Sequence, residues 1–206
     1  MTKNRQISFI VMLFTLLFGV TQAQTMKTKI GIKAGVNLAN ISDDPNAVEF
    51  TPGMKADFHA GIVLNFHWGL RDELSGKGTG YFGLQPEVLF SRQGFAVDDE
   101  AINLNYITLP LLAKFYATKE LSLEAGPYIG YLISTSPGNT VIEGAEIKLS
   151  DLTGGLDAGV AVGLGYEMKN GLFCNARYNL GLSDVASNLA WKNNVIAFSI
   201  GWLFNL

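Results

Sequence analysis

Apolar and polar residues alternate along most of this chain, in eight separate stretches. Ile30, Ile32, Ala34, Val36 and Leu38 share one parity, with Gly31, Lys33, Gly35 and Asn37 between them. Phe58, Ala60, Ile62, Leu64, Phe66 and Trp68 interleave with His59, Gly61, Val63, Asn65 and His67. Phe82, Leu84, Val88 and Phe90 oppose Gly83, Gln85, Glu87 and Ser91, and Ile107, Leu109, Leu111, Ala113 and Phe115 oppose Tyr106, Thr108, Leu112 and Lys114. The second half repeats the pattern over 121–133, 156–167, 172–180 and 196–206. A period of two over about ten residues is the repeat of a half-buried strand, and helical spacing fits none of these segments. Eight antiparallel strands are predicted.

The connections alternate as well. Long gaps at 40–56, 92–101, 135–153 and 183–193 contrast with the short turns 117–120 and 168–171. Loops at one end and tight turns at the other match an up-and-down transmembrane β-barrel of eight strands. Residues 69–80 break the rule, being a long Gly-rich connection where a short turn belongs.

A soluble lipocalin-like ligand carrier would carry the same alternation with its apolar face inward. The opposite face decides between them. It is rich in Gly, Asn, Ser and Ala with isolated charges, which suits a narrow lumen better than a face turned to water. Trp68, Phe82, Phe115, Tyr166, Trp202 and Phe204 all have the apolar parity near the predicted turn end, as an aromatic girdle at one membrane interface would. An eight-stranded barrel is just wide enough to be filled by side chains. Lys33, Glu87, Lys114, Glu124, Asp157, Glu167 and Arg177 have lumen parity, and buried charges must pair. A structural polar network of Lys33, Glu87, Lys114, Glu124 and Arg177 is expected there in place of a channel. Glu167 and Asp157 are the two that could sit at wet mouths.

Composition narrows the remaining classes. The 206 residues are 48% hydrophobic and only 16% charged, and Gly (23) is abundant. Disorder, collagen and coiled coil are excluded on that balance. A net charge of -3 gives no basic face for nucleic acid. Mean hydropathy is positive, at +0.22, yet after residue 23 there is no run of 18 apolar residues for a transmembrane helix. One cysteine can form neither an intramolecular disulfide nor a Cys-rich zinc site.

Lys3 and Arg5, the apolar run from Ile7 to Val20 and Thr21-Gln22-Ala23 are the parts of a secretory signal peptide, with cleavage expected before Gln24. Fourteen helical residues would span only ~21 Å, short of a ~30 Å hydrocarbon core. Residues 24–206 are then the barrel. Lys3 and Arg5 are the only charges removed, so the mature chain carries -5.

Several strands resemble a known family. Ile30–Leu38, Leu84–Gly94, Leu109–Phe115, Ala125–Tyr131, Gly163–Tyr166, Ala176–Leu182 and the aromatic C-terminal strand are similar to the PorT-type outer-membrane β-barrel domain. The resemblance covers the mature chain. It implies the barrel fold and, for the family's namesake, a part in a protein-secretion apparatus; no functional residue carries over. The pattern includes Pro86, Pro110 and Pro127 inside strands, where bulges or lumen partners are expected to absorb the missing donors.

Candidate chemistry is sparse. His59 and His67 share a strand face ~27 Å apart and cannot form one site. Cys174 has lipid parity, where a thiol is a small hydrophobe. Gly159, Gly163 and Gly165 lie within a strand, so they form no phosphate loop. No cofactor is expected. A rim-sited lipid-modifying enzyme is the alternative from another class, and would need Ser91, Ser134 or Ser183 brought to His59 with an acid. Asp43, Asp44, Glu49, Asp98, Asp99, Glu100, Glu143, Glu146 and Asp151 make the predicted outer loops acidic, for solubility or for divalent-cation bridges to lipid headgroups. The function expected is a structural or interaction role within outer-membrane lipid, with envelope or secretion proteins as partners. The oligomeric state is not encoded in any motif.

Overall fold

The computed structural model describes residues 25–42, 53–69, 81–97, 100–136, 139–142, 145–148, 155–184 and 192–206. The expected signal peptide, most of the 69–80 connection and Asp43, Asp44, Glu49, Asp98, Asp99, Glu143 and Asp151 lie outside them. Among the described residues there are ten strands: β1 (Thr25–Ser42), β2 (Lys55–Gly69), β3 (Tyr81–Val97), β4 (Glu100–Tyr116), β5 (Leu121–Ser136), β6 (Asn139–Ile142), β7 (Ala145–Lys148), β8 (Leu156–Glu167), β9 (Leu172–Gly181) and β10 (Lys192–Asn205). Eight of them close a barrel in the order β1-β10-β9-β8-β5-β4-β3-β2, every pair antiparallel. The remaining two, β6 and β7, form a small separate hairpin. Closure leaves the barrel sheet without a free edge across the membrane.

Alternation became inside and outside as the period-two rule requires. Ile32 (61%), Ile62 (53%), Val162 (53%) and Leu164 (51%) are outward and exposed, whereas Val63 and Leu112 between such positions are fully buried. In β2, the outward residues from Phe58 to Trp68 span ~33 Å along the strand, or ~25 Å of depth at a tilt of ~40°, the height of a transmembrane apolar band. The turns at 117–120 and 168–171 lie at the end where Lys29 of β1 pairs with Asn205 of β10. Gly171 permits the second turn: its N–H reaches Met168 O at 3.0 Å with φ at +90°, a conformation that L side chains rarely adopt.

Three expectations need correction. The segment 92–101 is not a long loop, because β3 and β4 continue their pairing to Val97 and Glu100. Likewise 135–153 contains the β6–β7 hairpin, in which Glu146 stands opposite Val141. At the loop end the polarity also inverts. Ile41, Phe95, Ile102, Leu104 and Tyr106 pack together inside, while Asn105 sits outside and donates to Ser134 Oγ at 2.9 Å. Beyond the bilayer water surrounds the barrel, so the apolar face turns inward. The lumen face is therefore less polar than its composition between 30 and 91 implies.

The prolines cause no bulges. The β2–β3, β3–β4 and β4–β5 ladders each lose two consecutive pairs beside Pro86, Pro110 and Pro127 and then resume in the same register. A missing N–H thus costs local ladder bonds without shifting a side chain to the other face. The register shift that does occur lies between Asn105 and Tyr106.

Candidate functional site

The lumen is the site, and five strands build its centre. Lys33 comes from β1, Glu87 with Gln85 from β3, Lys114 from β4, Glu124 from β5 and Arg177 from β9. Arg177 grips Glu87 with both terminal nitrogens, Nη1 to Oε2 and Nη2 to Oε1, each at 2.9 Å. Its Nη2 also donates to Glu124 Oε2 at 3.1 Å. Lys33 Nζ donates to Glu87 Oε2 at 2.9 Å, and Lys114 Nζ lies 2.9 Å from Glu124 Oε1. Gln85 ties the two halves together. Its oxygen accepts from Lys114 Nζ (3.0 Å) and Asn65 (3.0 Å), and its Nε2 donates to Glu87 Oε1 (2.7 Å). All five charged side chains are at most 4% exposed. The structure thus brings all five sequence-selected residues into one network. Gln85, visible on the same parity, belongs to it too.

Lumen glycines make room for these groups. A Cβ at Gly165 would stand 2.4 Å from Glu124 Oε1, and one at Gly159 2.6 Å from the Tyr128 ring. A Cβ at Gly201 would meet the Phe173 ring at 2.5 Å. We expect Gly165→Ala to cost about 1–3 kcal/mol of barrel stability through overpacking, measured as a lowered urea midpoint. A wild-type midpoint would mean that the Glu124 carboxylate moves freely.

Both mouths hold further ion pairs. Lys29 pairs with Glu167 at the turn end. At the loop end Asp57 receives Lys55 and Arg92, the latter at 3.2 Å. Sequence reasoning missed Lys29, Lys55 and Asp57, although extending the parity of Lys33 and His59 by one or two steps selects all three. Asp157 is not at a wet mouth. It is fully buried, accepting from Asn193 Nδ2 at 3.1 Å and from the hydroxyls of Ser183 and Tyr128 at 3.5 Å.

His59 is likewise not at the rim. It is buried, with Nδ1 donating to Asn37 Oδ1 at 2.8 Å and Nε2 sharing a hydrogen bond with Ser199 Oγ at 2.7 Å. Asn37 Nδ2 in turn donates to Ser91 Oγ (3.0 Å) and Arg92 O (2.8 Å), which fixes the amide orientation and turns its Oδ1 toward the His59 ring. None of the three serines that the lipid-modifying alternative would need meets His59 as a nucleophile. Ser91 is held by Asn37 and Gln93, Ser134 faces out beside Asn105, and Ser183 caps the N–H of Ala158 at 2.7 Å. The Ser199–His59–Asn37 relay has the order of a hydrolase triad, but all three groups are buried in the lumen. The adjoining cavity, about 20 Å³, accepts little more than one water. His67 stacks on Tyr116 at 4.4 Å and 7°, far from His59 on the same strand. Among the described residues no cluster of three metal-ligating side chains occurs.

On the outer surface, Trp68, Phe82 and Phe115 are consecutive cross-strand neighbours, with the Trp68 and Phe82 rings 6.0 Å apart. Tyr166 pairs opposite Leu121, Trp202 opposite Ile32 and Leu172, and Phe204 opposite Ile30. All six face outward within the half of the barrel that ends in tight turns. Cys174 is also outward and exposed.

Among known proteins, no curated sequence matches this chain. Solved structures similar to it include Ail, the attachment invasion locus protein of Yersinia pestis, at 15% identity over 86% of this chain and 99% of that one, with a TM-score of 0.46. Neisserial surface protein A is similar at 11% identity over 85% and 97% of the two chains, also with a TM-score of 0.46. A family model described as outer membrane protein beta-barrel domain matches residues 22–187. With an outward apolar band and a closed eight-stranded barrel already in place, that match makes the chain a member of the outer-membrane β-barrel domain family, resident in the bacterial outer membrane.

Proposed function

We propose that this protein is a closed, non-enzymatic barrel that serves a structural or interaction role in the outer membrane, as a component of an envelope or protein-secretion assembly. The single observation behind this reading is the filled lumen. Paired charges occupy its centre, Lys29–Glu167 one mouth, and the Ile41–Phe95–Leu104–Tyr106 cluster the other. A barrel packed this way offers no route for solute, which leaves its ends and its lipid-facing wall to meet other molecules. The resemblance of its strands to the PorT-type domain points toward a secretion partner. In this reading the Lys33–Glu87–Arg177–Glu124–Lys114 network is a structural plug. Trp68, Phe82, Phe115, Tyr166, Trp202 and Phe204 anchor the barrel at the interface nearer the turns.

Two measurements test it. In planar bilayers the purified protein should give no stable conductance steps, and sustained ion-selective openings would overturn the plug. Affinity capture from gently solubilised membranes should return a defined envelope protein at fixed stoichiometry; capture of lipid alone would argue against an assembly role. The lipid-modifying alternative requires a reachable nucleophile. A fluorophosphonate probe should leave Ser199 unlabelled in the folded barrel, and labelling would revive that alternative.

A further inference from the structure

The central network does not balance its charge. Lys33, Lys114 and Arg177 contribute three positive charges against the two negative charges of Glu87 and Glu124, leaving a surplus of one among these five buried side chains. An unneutralised buried charge is costly, so it either finds a counter-ion or is discharged. Two further observations concern the same residues. Arg177 Nε is a buried donor with no hydrogen-bond partner among the described residues. Both surplus-bearing residues, Lys33 and Arg177, line the cavity of about 20 Å³, together with Thr108, Tyr128 and Asn179.

We propose that this cavity is a binding site for one small monovalent anion, of the chloride or bromide class. Arg177 and Lys33 supply the charge, and the hydroxyl of Thr108 on the same lining can turn a proton toward the ion. At about 20 Å³ the cavity suits a small ion better than a sulfate or phosphate. His59 on the same wall is hydrogen-bonded through both ring nitrogens, to Asn37 and Ser199. Asp157, the third buried carboxylate of the lumen, lies outside the cavity lining, is held by Asn193, Ser183 and Tyr128, and makes no ion pair with Lys33 or Arg177. A water molecule could fill the volume and accept from Arg177 Nε, but it would leave the charge unbalanced.

The test uses the folded barrel in detergent, unfolded with urea because guanidinium chloride would itself introduce halide. At fixed ionic strength, sodium bromide or chloride should raise the urea midpoint over sodium gluconate, by roughly 1 M at a hundredfold excess over Kd. Lys33→Met, which removes the surplus charge, should abolish that difference. Crystals grown in bromide should show an anomalous peak within hydrogen-bonding distance of Arg177 Nε, a measurement on the wild-type protein that does not depend on the variant folding. Superimposable midpoints in halide and gluconate, or a bromide crystal with no anomalous density in the cavity, would overturn the site.

Discussion

Replacing Glu87 by Gln is expected to destabilise the barrel by about 3–5 kcal/mol, the scale on which one partner is removed from a buried ionic network. Glu87 accepts from Arg177 through two bonds and from Lys33 and Gln85 through one each, all at 2.7–2.9 Å. Without its charge, two cations face each other in a closed interior, with only Glu124 left to offset Arg177 and Lys114. Urea unfolding from lipid vesicles, followed by tryptophan fluorescence, measures the loss. Adding Lys33→Met to the Glu87→Gln variant should recover part of it, because one orphaned cation is then gone. The double variant should therefore depart from additivity. A loss below about 1 kcal/mol for Glu87→Gln would mean that the lumen is wet enough to screen the network.

The second large effect lies on the opposite surface of the same wall. Ile62 is outward, 53% exposed, and stands midway between Phe58 and Trp68 on β2. Placed at the middle of an apolar band, Ile62→Arg should cost about 2–4 kcal/mol, with about 0–1 kcal/mol for the same change near the interface. Asn105→Arg is the matched control, since Asn105 is outward but beyond the band, where the surface has already become polar. Equal effects at the two positions would contradict the depth profile. In a barrel surrounded by water, arginine at Ile62 would be close to neutral.

How much of this was legible in the sequence depends on what alternation can encode. Parity assigns a face, and a one-residue slip would reverse it, so the sequence alone places Ile32, Ile62 and Leu164 outward and Lys33, Glu87, Lys114, Glu124 and Arg177 inward. Parity does not assign height. Tilt and closure bring Lys33 of β1 to Glu87 of β3 and Arg177 of β9 to both carboxylates, and they carry Asp157 and His59 well below the rim. For the same reason the pairing of Ser199 with His59, 140 residues apart, left no local signal. The 92–106 stretch misleads in another way. Gln93, Phe95, Ile102 and Leu104 keep the strand period, but their apolar members now point inward because water replaces lipid outside. A template seeking apolar residues on the lipid parity ends at Phe90 and reads the rest as loop. The prolines broke ladder bonds without breaking register, a tolerance visible only once both neighbouring strands are in place.

The central claim is that the apolar wall faces acyl chains, and the protein's one cysteine reports on it directly. Cys174 lies outward on β9, paired between Tyr166 of β8 and Ile200 of β10. In lipid vesicles a charged, water-soluble maleimide should leave Cys174 unmodified while the barrel is folded and modify it fully once urea unfolds the chain. Rapid modification of the folded protein would place that wall in water and contradict the membrane-spanning orientation.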